Sequence, residues 1–347
     1  MSGNLHGSDR EFYPEGRPSK VARRTGEEQE ETVEVENREE CKLVSCISEA
    51  MNRKSQRYLL AVEYIGSRFC GSQKQPNGRT VAGVLEEAFC KFIGQPVSIA
   101  LSSRTDAGVH AFSNVCHVDI ERISKRKPDE LLQPHGPDVV KRAVNHFLQK
   151  NEGDIMLIDV KCVPSDFHAR YRAQERRYFY RLVCGPDSLS TFEKDRAWHV
   201  SDDLNLNAMQ DACKVLVGHH DFSSFRASGC QAKSPIRSLD ELSVTEVVCN
   251  PFFPCETPNI SMESSVNLDT TRFGMRRSHR CFTVVARARS FLYHQVRLLV
   301  GVLKAVGTGD LTVSDVSRIL DAKSVTAASP MAPACGLYLA HVNYDLP

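Results

Sequence analysis

The chain has 347 residues, of which 25% are charged and 41% hydrophobic, a balance typical of a globular protein with room for two domains. The first 50 residues hold 7 Lys and Arg against 12 Asp and Glu, and the rest hold 37 against 31, so the larger part permits a polyanionic partner. No apolar run reaches the ~18–20 residues of a membrane span, and no secretory signal opens the chain. We expect a soluble intracellular protein without a membrane partner, the cytoplasm or nucleus being favoured and an organelle left open.

The thirteen cysteines predict free thiols rather than a disulfide framework. They form no C-x-x-C pair, and most lie in apolar segments, where a thiol packs as a small hydrophobe. Their odd number fits a reducing compartment. Because no His or Cys cluster has zinc-finger spacing, we expect no metal site.

Composition divides the chain into three parts. Residues 1–55 are polar and rich in charge, which predicts a disordered tail. An N-terminal α+β domain over 56–165 and a C-terminal α+β domain over 166–347 follow. A polar segment near 250–279 has no periodicity and is interpreted as a surface loop.

The first half predicts a β-α-β-β-α-β order. A strand over 58–64 precedes a helix that Thr80 caps, whose apolar residues recur at i, i+3, i+4 and i+7 until Gly94. The remaining elements are strands at 97–101, 112–120 and 155–163 and a helix from Asp138. This order is typical of an α+β sheet covered by helices.

The second half has a loosely similar arrangement of strands and helices. Its predicted strands are 177–183, 238–248, 281–288 and 337–343, and its predicted helices are 206–217, 293–306 and 314–322. Two similar α+β halves suggest a cleft between them.

The stretch from Ser102 to Ala111 lies between two of these strands. The sequence Asp106-Ala107-Gly108 is typical of a turn, so we expect the Asp106 carboxylate to lie on a short loop. The cation of Arg104 lies two residues earlier. Taken alone, an Asp before Gly is more often a turn residue than a catalytic one. The functional interpretation therefore needs support from elsewhere in the chain.

Three segments mix aromatic and basic residues, as base stacking and phosphate binding require. They are 167–181, 220–226 and 291–297. The alternative for the first is a strand edge with solvated arginines and a buried tyrosine. In the third, Arg297 lies one turn into an apolar helix and needs an anionic partner, because an unpaired buried charge is costly.

The loop Ser103-Arg104-Thr105-Asp106-Ala107-Gly108-Val109-His110-Ala111 is also a family signature, and four further blocks follow it in the family's order. These blocks are 166–180, 218–226, 290–301 and 336–344. On these motifs the sequence resembles the TruA family of tRNA pseudouridine synthases, in its eukaryotic pseudouridine synthase-like branch, over about 58–344. Two departures, Ser103 in place of a common Gly and Gly71-Ser72-Gln73 without a large aromatic, bear on how the loop meets RNA.

The resemblance implies two RNA-recognition-like α+β halves that form a pseudouridine synthase fold, with a central, mainly antiparallel sheet and a basic cleft. It implies cofactor-free isomerisation of uridines in tRNA. Asp106 matches the catalytic aspartate, which attacks the nucleoside or stabilises a glycal-forming path. Tyr178 matches the tyrosine that stacks on the base and is linked to loss of the C5 proton, and Arg297 matches the arginine that pairs with the aspartate.

Those roles are chemically sensible. A stacked nucleotide must be extruded into a pocket before its glycosidic bond can be reached. A guanidinium beside the aspartate favours the ionised carboxylate that a nucleophile needs, and stacking lets a base rotate on an aromatic face. The resemblance also implies that Arg104 takes the place of the flipped nucleotide. The candidate substrate contacts are Arg104, Thr105, His110, His168, Arg170, Arg177, Arg226, Phe291 and His294, with His110 and His168 interpreted as packing or phosphate-binding residues.

The leading function is a tRNA pseudouridine synthase that uses an aspartate nucleophile, with tRNA as partner and a homodimer as a candidate assembly. The alternative is a non-catalytic RNA-binding protein that retains the fold. A sequence without Asp106, Tyr178 or Arg297 would have favoured this non-catalytic alternative. An Asp/His hydrolase should instead show a metal cluster or a nucleophile–base pair, and the sequence has neither.

Overall fold

A nine-stranded sheet, with a separate two-stranded one, runs through the computed structural model, which describes residues 55–127, 129–150, 152–247, 279–328 and 330–346. The strands in these ranges are β1 Gln56–Tyr64, β2 Ile99–Leu101, β3 His110–Ile120, β4 Ile155–Val163, β5 Glu175–Cys184, β6 Trp198–Val200, β7 Gly218–Asp221, β8 Ile236–Leu239, β9 Glu241–Val247, β10 Arg280–Ala288 and β11 Leu337–Asn343. The helices there are α1 Val81–Ile93, α2 Pro137–Gln149, α3 Leu206–Leu216, α4 Gln295–Gly307 and α5 Val313–Ala322. The predicted tail and the predicted insertion fall almost wholly outside the described residues.

The large sheet has the order β4-β1-β3-β11-β5-β10-β9, with β2 beside β3 and β6 beside β5. Its pairs are antiparallel except for β3–β11 and β5–β6. The predicted α+β class with a mainly antiparallel sheet is therefore confirmed, as is the order β1-α1-β2-β3-α2-β4 in the first half.

Helix α1 shows why the local signals succeed. The Thr80 side chain accepts a hydrogen bond from the Gly83 amide at 3.2 Å, which satisfies one of the free donors at the helix start. Gly94 ends the helix at a φ of +86°, in the left-handed region that glycine adopts at little cost. The face between them packs into the core through Val81, Val84, Leu85, Ala88 and Phe89.

Most predicted bounds differ from the observed ones by one or two residues, and two of the differences have a clear cause in the structure. Helix α4 begins at Gln295 rather than Tyr293, because His294 has a φ of +60° and cannot continue a right-handed helix. The predicted strand 238–248 divides at Asp240, whose amide donates to the Arg287 carbonyl at 2.9 Å. Its two parts, β8 and β9, then pair in different sheets. Strands β6 and β7 were not predicted, since three or four residues are too few to show a period.

Strand β11 joins the strands of the first half to those of the second. It pairs in parallel with β3 through Leu339 and Ala111, and in antiparallel register with β5 through Leu339 and Tyr178. These three residues therefore form one row across three strands. The described residues form one compact unit, and the division near residue 165 stays a prediction.

Eight described cysteines are free thiols, whereas Cys281 is disulfide-bonded. The expectation of free thiols is therefore confirmed for those eight and wrong for Cys281. No helix within the described ranges is long and apolar enough to cross a membrane. The same ranges contain no group of three or more His, Cys, Asp or Glu side chains placed to hold a metal ion.

Candidate active site

The loop between β2 and β3, residues 102–109, is fastened to a second loop at Ser72. The Ser72 amide donates to the Thr105 carbonyl at 3.0 Å, and the Thr105 amide donates to Ser72 Oγ at 2.8 Å. Both residues are buried. Because these hydrogen bonds act on the residue before Asp106, they fix the backbone from which its carboxylate projects.

A buried polar network supports the same loop from the sheet. The Tyr64 hydroxyl and Thr105 Oγ1 share a hydrogen bond of 2.7 Å. Asn114 Nδ2 donates to that hydroxyl and to the Ser103 carbonyl, both at 3.1 Å. Burial raises the pKa of Tyr64 to about 12, so its phenol remains neutral and the network carries no charge. A satisfied network of this kind rigidifies the segment that it joins.

Two glycines allow the loop to pass close to its neighbours. Gly108 has a φ of +84° directly after the Asp106-Ala107 pair, a conformation that L side chains rarely adopt. A Cβ on Gly66 would lie 1.8 Å from the Val109 carbonyl oxygen. The backbone of the Gly66–Arg68 turn therefore packs directly against the end of the loop.

Asp106 is bound by Arg297 from the first turn of α4. Arg297 Nη1 lies 3.2 Å from Asp106 Oδ2, while its Nε donates to the Ala332 carbonyl at 2.8 Å. The side chain of Arg297 is only 11% exposed, against 25% for Asp106. The buried arginine thus has the anionic partner that its position requires.

His294 contacts the same carboxylate oxygen. Its Nε2 lies 3.2 Å from Asp106 Oδ2. Burial lowers the pKa of His294 below its usual value, and Arg297 adds to this shift while Asp106 opposes it. We assign the ring proton to Nε2, since a carboxylate can only accept. His294 is also one of three non-glycine residues with a positive φ in the described chain, a strain that functional sites often store.

Tyr178 lies on β5 in the row that contains Ala111. It is buried, and the Phe291 ring meets its ring edge-on, with the centroids 5.2 Å apart. Burial raises the pKa of Tyr178 above its ordinary value, and the nearby Tyr64 and Asp106 add to the shift while Arg176 opposes it. The side chain is therefore a neutral phenol at physiological pH.

Arg176, two residues before Tyr178, binds three segments of the site at once. Its guanidinium donates to the Ser102 carbonyl at 3.2 Å, the Arg170 carbonyl at 3.0 Å and the Arg289 carbonyl at 2.6 Å. Burial lowers its pKa from the ordinary value. Arg176 therefore ties the Asp106 loop to the segments that carry His168 and Phe291.

A cleft of about 1530 Å³ opens onto these residues. Besides Asp106, Tyr178 and Arg297, it is lined by six of the predicted substrate contacts. These are Arg104, Thr105, His168, Arg170, Phe291 and His294. Arg104 extends across the cleft and donates to Gln231 Oε1 at 3.2 Å, whereas Thr105 is buried in the network beneath the loop.

The other three predicted contacts do not line this cleft. His110 is buried, stacks on Tyr338 with the ring centroids 4.6 Å apart and accepts from the Gly66 amide, which makes it a packing residue. Arg177 lies 3.6 Å from Glu241. Arg226 follows the short 3₁₀ turn Ser223–Phe225.

Sequence reasoning missed the supporting residues Ser72, Tyr64, Asn114 and Arg176 as parts of the site. Ser72 lies in the Gly71-Ser72-Gln73 block, which departs from the family pattern. That departure was the one sequence signal that pointed to this segment. The hydrogen bonds from Asn114 to Tyr64 and from Arg176 to the Ser102 carbonyl span 50 and 74 positions of sequence, so local patterns do not reveal these partners.

The chain is similar to known proteins over most of its length. The family model for tRNA pseudouridine synthase matches residues 60–172 and 212–345. The tRNA pseudouridine synthase A of Parvibaculum lavamentivorans is 39% identical over 289 residues, which cover 83% of this chain and 99% of that protein. The protein of the same name from Rhodospirillum centenum is 40% identical, over 83% of this chain and all of its own. The tRNA pseudouridine synthase A of Roseobacter denitrificans is 38% identical, over 84% of this chain and 96% of that protein.

The fold and these relatives therefore place the chain among the pseudouridine synthases. The chain belongs to the TruA family of tRNA pseudouridine synthases. Its assignment to the eukaryotic branch stays a prediction.

Proposed function

We propose that this protein isomerises uridines of tRNA to pseudouridine with Asp106 as the nucleophile. The observation that carries the proposal is the arrangement around this carboxylate. Arg297 and His294 both contact Oδ2, and within the described residues no hydrogen bond or ion pair reaches Oδ1. The two donors can hold the carboxylate through one oxygen, which leaves the other to meet the substrate.

The reaction needs no group from outside the protein and substrate. The bond between C1′ and N1 breaks, the uracil turns, and C1′ bonds to C5. C5 loses its proton and N1 gains one, so atoms and electrons balance. Attack by Asp106 on C1′ and a glycal-forming path both need a carboxylate beside C1′, and Arg297 Nη1 supplies a positive charge 3.2 Å from its Oδ2.

The chemistry of Tyr178 supports a role in holding the base. Its buried ring lies between the Asp106 loop and Phe291, and its raised pKa keeps the phenol protonated. A neutral phenol can stack on uracil and donate a hydrogen bond, but it is not an anionic base. We therefore propose that Tyr178 supports the uracil while it turns.

The charges of the cleft favour a polyanion. Its lining includes six cations, Lys74, Arg104, Arg170, Arg176, Arg237 and Arg297, against the two carboxylates Glu86 and Asp106. Such an excess supports the predicted basic cleft and the binding of phosphate groups. Arg104 remains our candidate for the residue that replaces the flipped nucleotide. The homodimer and the intracellular location stay predictions.

Tritium release tests the function. Unmodified tRNA transcripts carrying uridine tritiated at C5 are incubated with the full-length protein, and released tritium is counted. Release that requires the protein supports isomerisation, because formation of the C1′–C5 bond expels the hydrogen of C5 as a proton. Tight tRNA binding without release would instead favour the non-catalytic RNA-binding alternative.

A further inference from the structure

An exposed aromatic ring at the edge of the cleft has no part in the chemistry above. Tyr171 is 73% exposed, the largest exposure among the large hydrophobic residues described, and it lines the same cleft as Asp106. Its ring lies against that of His168, with the centroids 4.3 Å apart and the planes 36° apart. One side of the tyrosine is thus supported, and most of the ring faces solvent.

The turn that carries Tyr171 is held firmly to the sheet. The Tyr171 and Arg172 amides donate to the His168 carbonyl at 3.1 and 2.9 Å. The Tyr344 hydroxyl donates to the Ala169 carbonyl at 2.6 Å, and Arg57 Nη1 donates to the Phe167 carbonyl at 2.9 Å.

The ring beneath Tyr171 is fixed as well. His168 Nδ1 accepts from the Arg170 amide at 3.1 Å, and its ring meets His117 edge-on at 4.7 Å. His117 Nδ1 in turn accepts from the Ala169 amide at 3.2 Å. Because both the backbone and the supporting ring are constrained, Tyr171 presents a preorganised surface, and a ligand pays little to order it.

The surroundings of the ring indicate its ligand. Arg170, which is exposed on the same turn, makes no side-chain hydrogen bond or ion pair within the described residues. An aromatic face beside a free guanidinium matches a nucleotide, whose base stacks and whose phosphate pairs with the cation. An exposed base face occurs in single-stranded or splayed RNA rather than inside a stacked helix.

We propose that Tyr171, supported by His168, is a stacking site for an unpaired nucleobase of the RNA segment that flanks the target uridine. The proposal rests on the function proposed above for its substrate, but it concerns binding rather than the chemical step. The site adds a contact outside the pocket of Asp106 and Tyr178, and it helps to hold the RNA strand while one nucleotide is extruded.

Binding of unmodified tRNA transcripts by full-length variants tests this site. Tyr171→Ala should raise the Kd and KM about tenfold, with kcat at saturating tRNA unchanged. Tyr171→Phe keeps the ring and should stay within about twofold of wild type. Phe192→Ala is the matched control, since Phe192 is 66% exposed but does not line the cleft, and it should also bind as wild type.

A fluorescent variant supplies a direct signature of stacking. Tyr171→Trp should show emission that is quenched on addition of tRNA, after subtraction of the signal from the natural Trp198. Normal binding by Tyr171→Ala, or an equal loss in Tyr171→Phe, would overturn the stacking site. These binding results do not depend on turnover, so wild-type protein that binds tRNA without releasing tritium would contradict the proposed function alone.

Discussion

His294 Nε2 lies 3.2 Å from Asp106 Oδ2, on the oxygen that Arg297 also contacts. The histidine adopts its positive φ immediately before the first residue of α4. This backbone conformation turns the side chain towards the Asp106 loop, while Arg297 reaches the loop from the first turn of α4. His294, with its strained backbone, and Arg297, at the start of α4, thus contact the same oxygen of Asp106.

We expect His294→Asn to lower kcat about ten- to a hundredfold with little change in KM. Asparagine tolerates a positive φ, but its shorter amide does not reach Oδ2, so one hydrogen bond to a charged group is lost. His294→Gln, whose longer amide restores the reach, is the control and should recover part of the rate. Steady-state tritium release measures both variants, and an unchanged kcat in His294→Asn would remove this hydrogen bond from the mechanism.

Tyr178 should contribute no ionisation to the pH–rate profile between about pH 6 and 9. Burial raises its pKa above the ordinary value near 10, so it stays protonated across this range. We expect wild type and Tyr178→Phe to show profiles of the same shape, with kcat in the variant reduced by no more than about tenfold. A basic limb below pH 9 that disappears in Tyr178→Phe would show instead that the phenolate acts in catalysis.

Gly66→Ala should destabilise the protein and disturb the Asp106 loop. The added Cβ would lie 1.8 Å from the Val109 carbonyl oxygen, so the backbone must shift, at a cost of about 3 kcal/mol. Urea unfolding measures the loss. Gly136→Ala is the control, because a Cβ there meets nothing within 4 Å, and its change should stay below about 1 kcal/mol. Equal midpoints for the two variants would contradict the close packing at Gly66.

His117 should make the fold sensitive to acid. Burial lowers its pKa to about 4, with Arg57 and His168 adding to the shift and Asp119 opposing it. Since the unfolded pKa is near 6.5, the stabilisation from this group is present above pH 6.5 and is lost as the pH falls towards 4. It amounts to about 3 kcal/mol.

Urea unfolding at pH 7.5 and 4.5 tests this contribution against His117→Asn, whose amide oxygen can accept from Ala169 without titrating. The difference in unfolding free energy between the two pH values should be smaller in the variant. An equal difference in both proteins would show that other groups cause the acid sensitivity.

Local chemistry in the sequence predicts the elements better than it predicts the site. Thr80 and Gly94 place α1 correctly because a cap and a left-handed glycine act within one turn. The start of α4 was wrong by two residues, since the φ of His294 is set by packing at the site and histidine is not a standard helix signal. The support of Thr105 by Ser72 and Tyr64 joins residues 33 and 41 positions apart, beyond any local pattern.

The resemblance to the family added what local patterns could not. It selected Asp106 from the many loop carboxylates and paired it with Arg297, and the ion pair between them is present in the structure. It did not identify His294 as a partner of Asp106, nor did it separate the buried His110 from the residues that line the cleft. Both distinctions depend on side-chain placement, since His294 meets Asp106 from the start of α4 and His110 packs on Tyr338.

The most direct test of the whole account compares wild type with Asp106→Asn in two assays on the same tRNA transcripts. Asparagine preserves the size of the side chain, so the Kd for tRNA should stay within about threefold of wild type. Tritium release should fall by at least about 10³-fold, because the amide is not a nucleophile. Release at the wild-type rate would show that Asp106 does not carry the reaction.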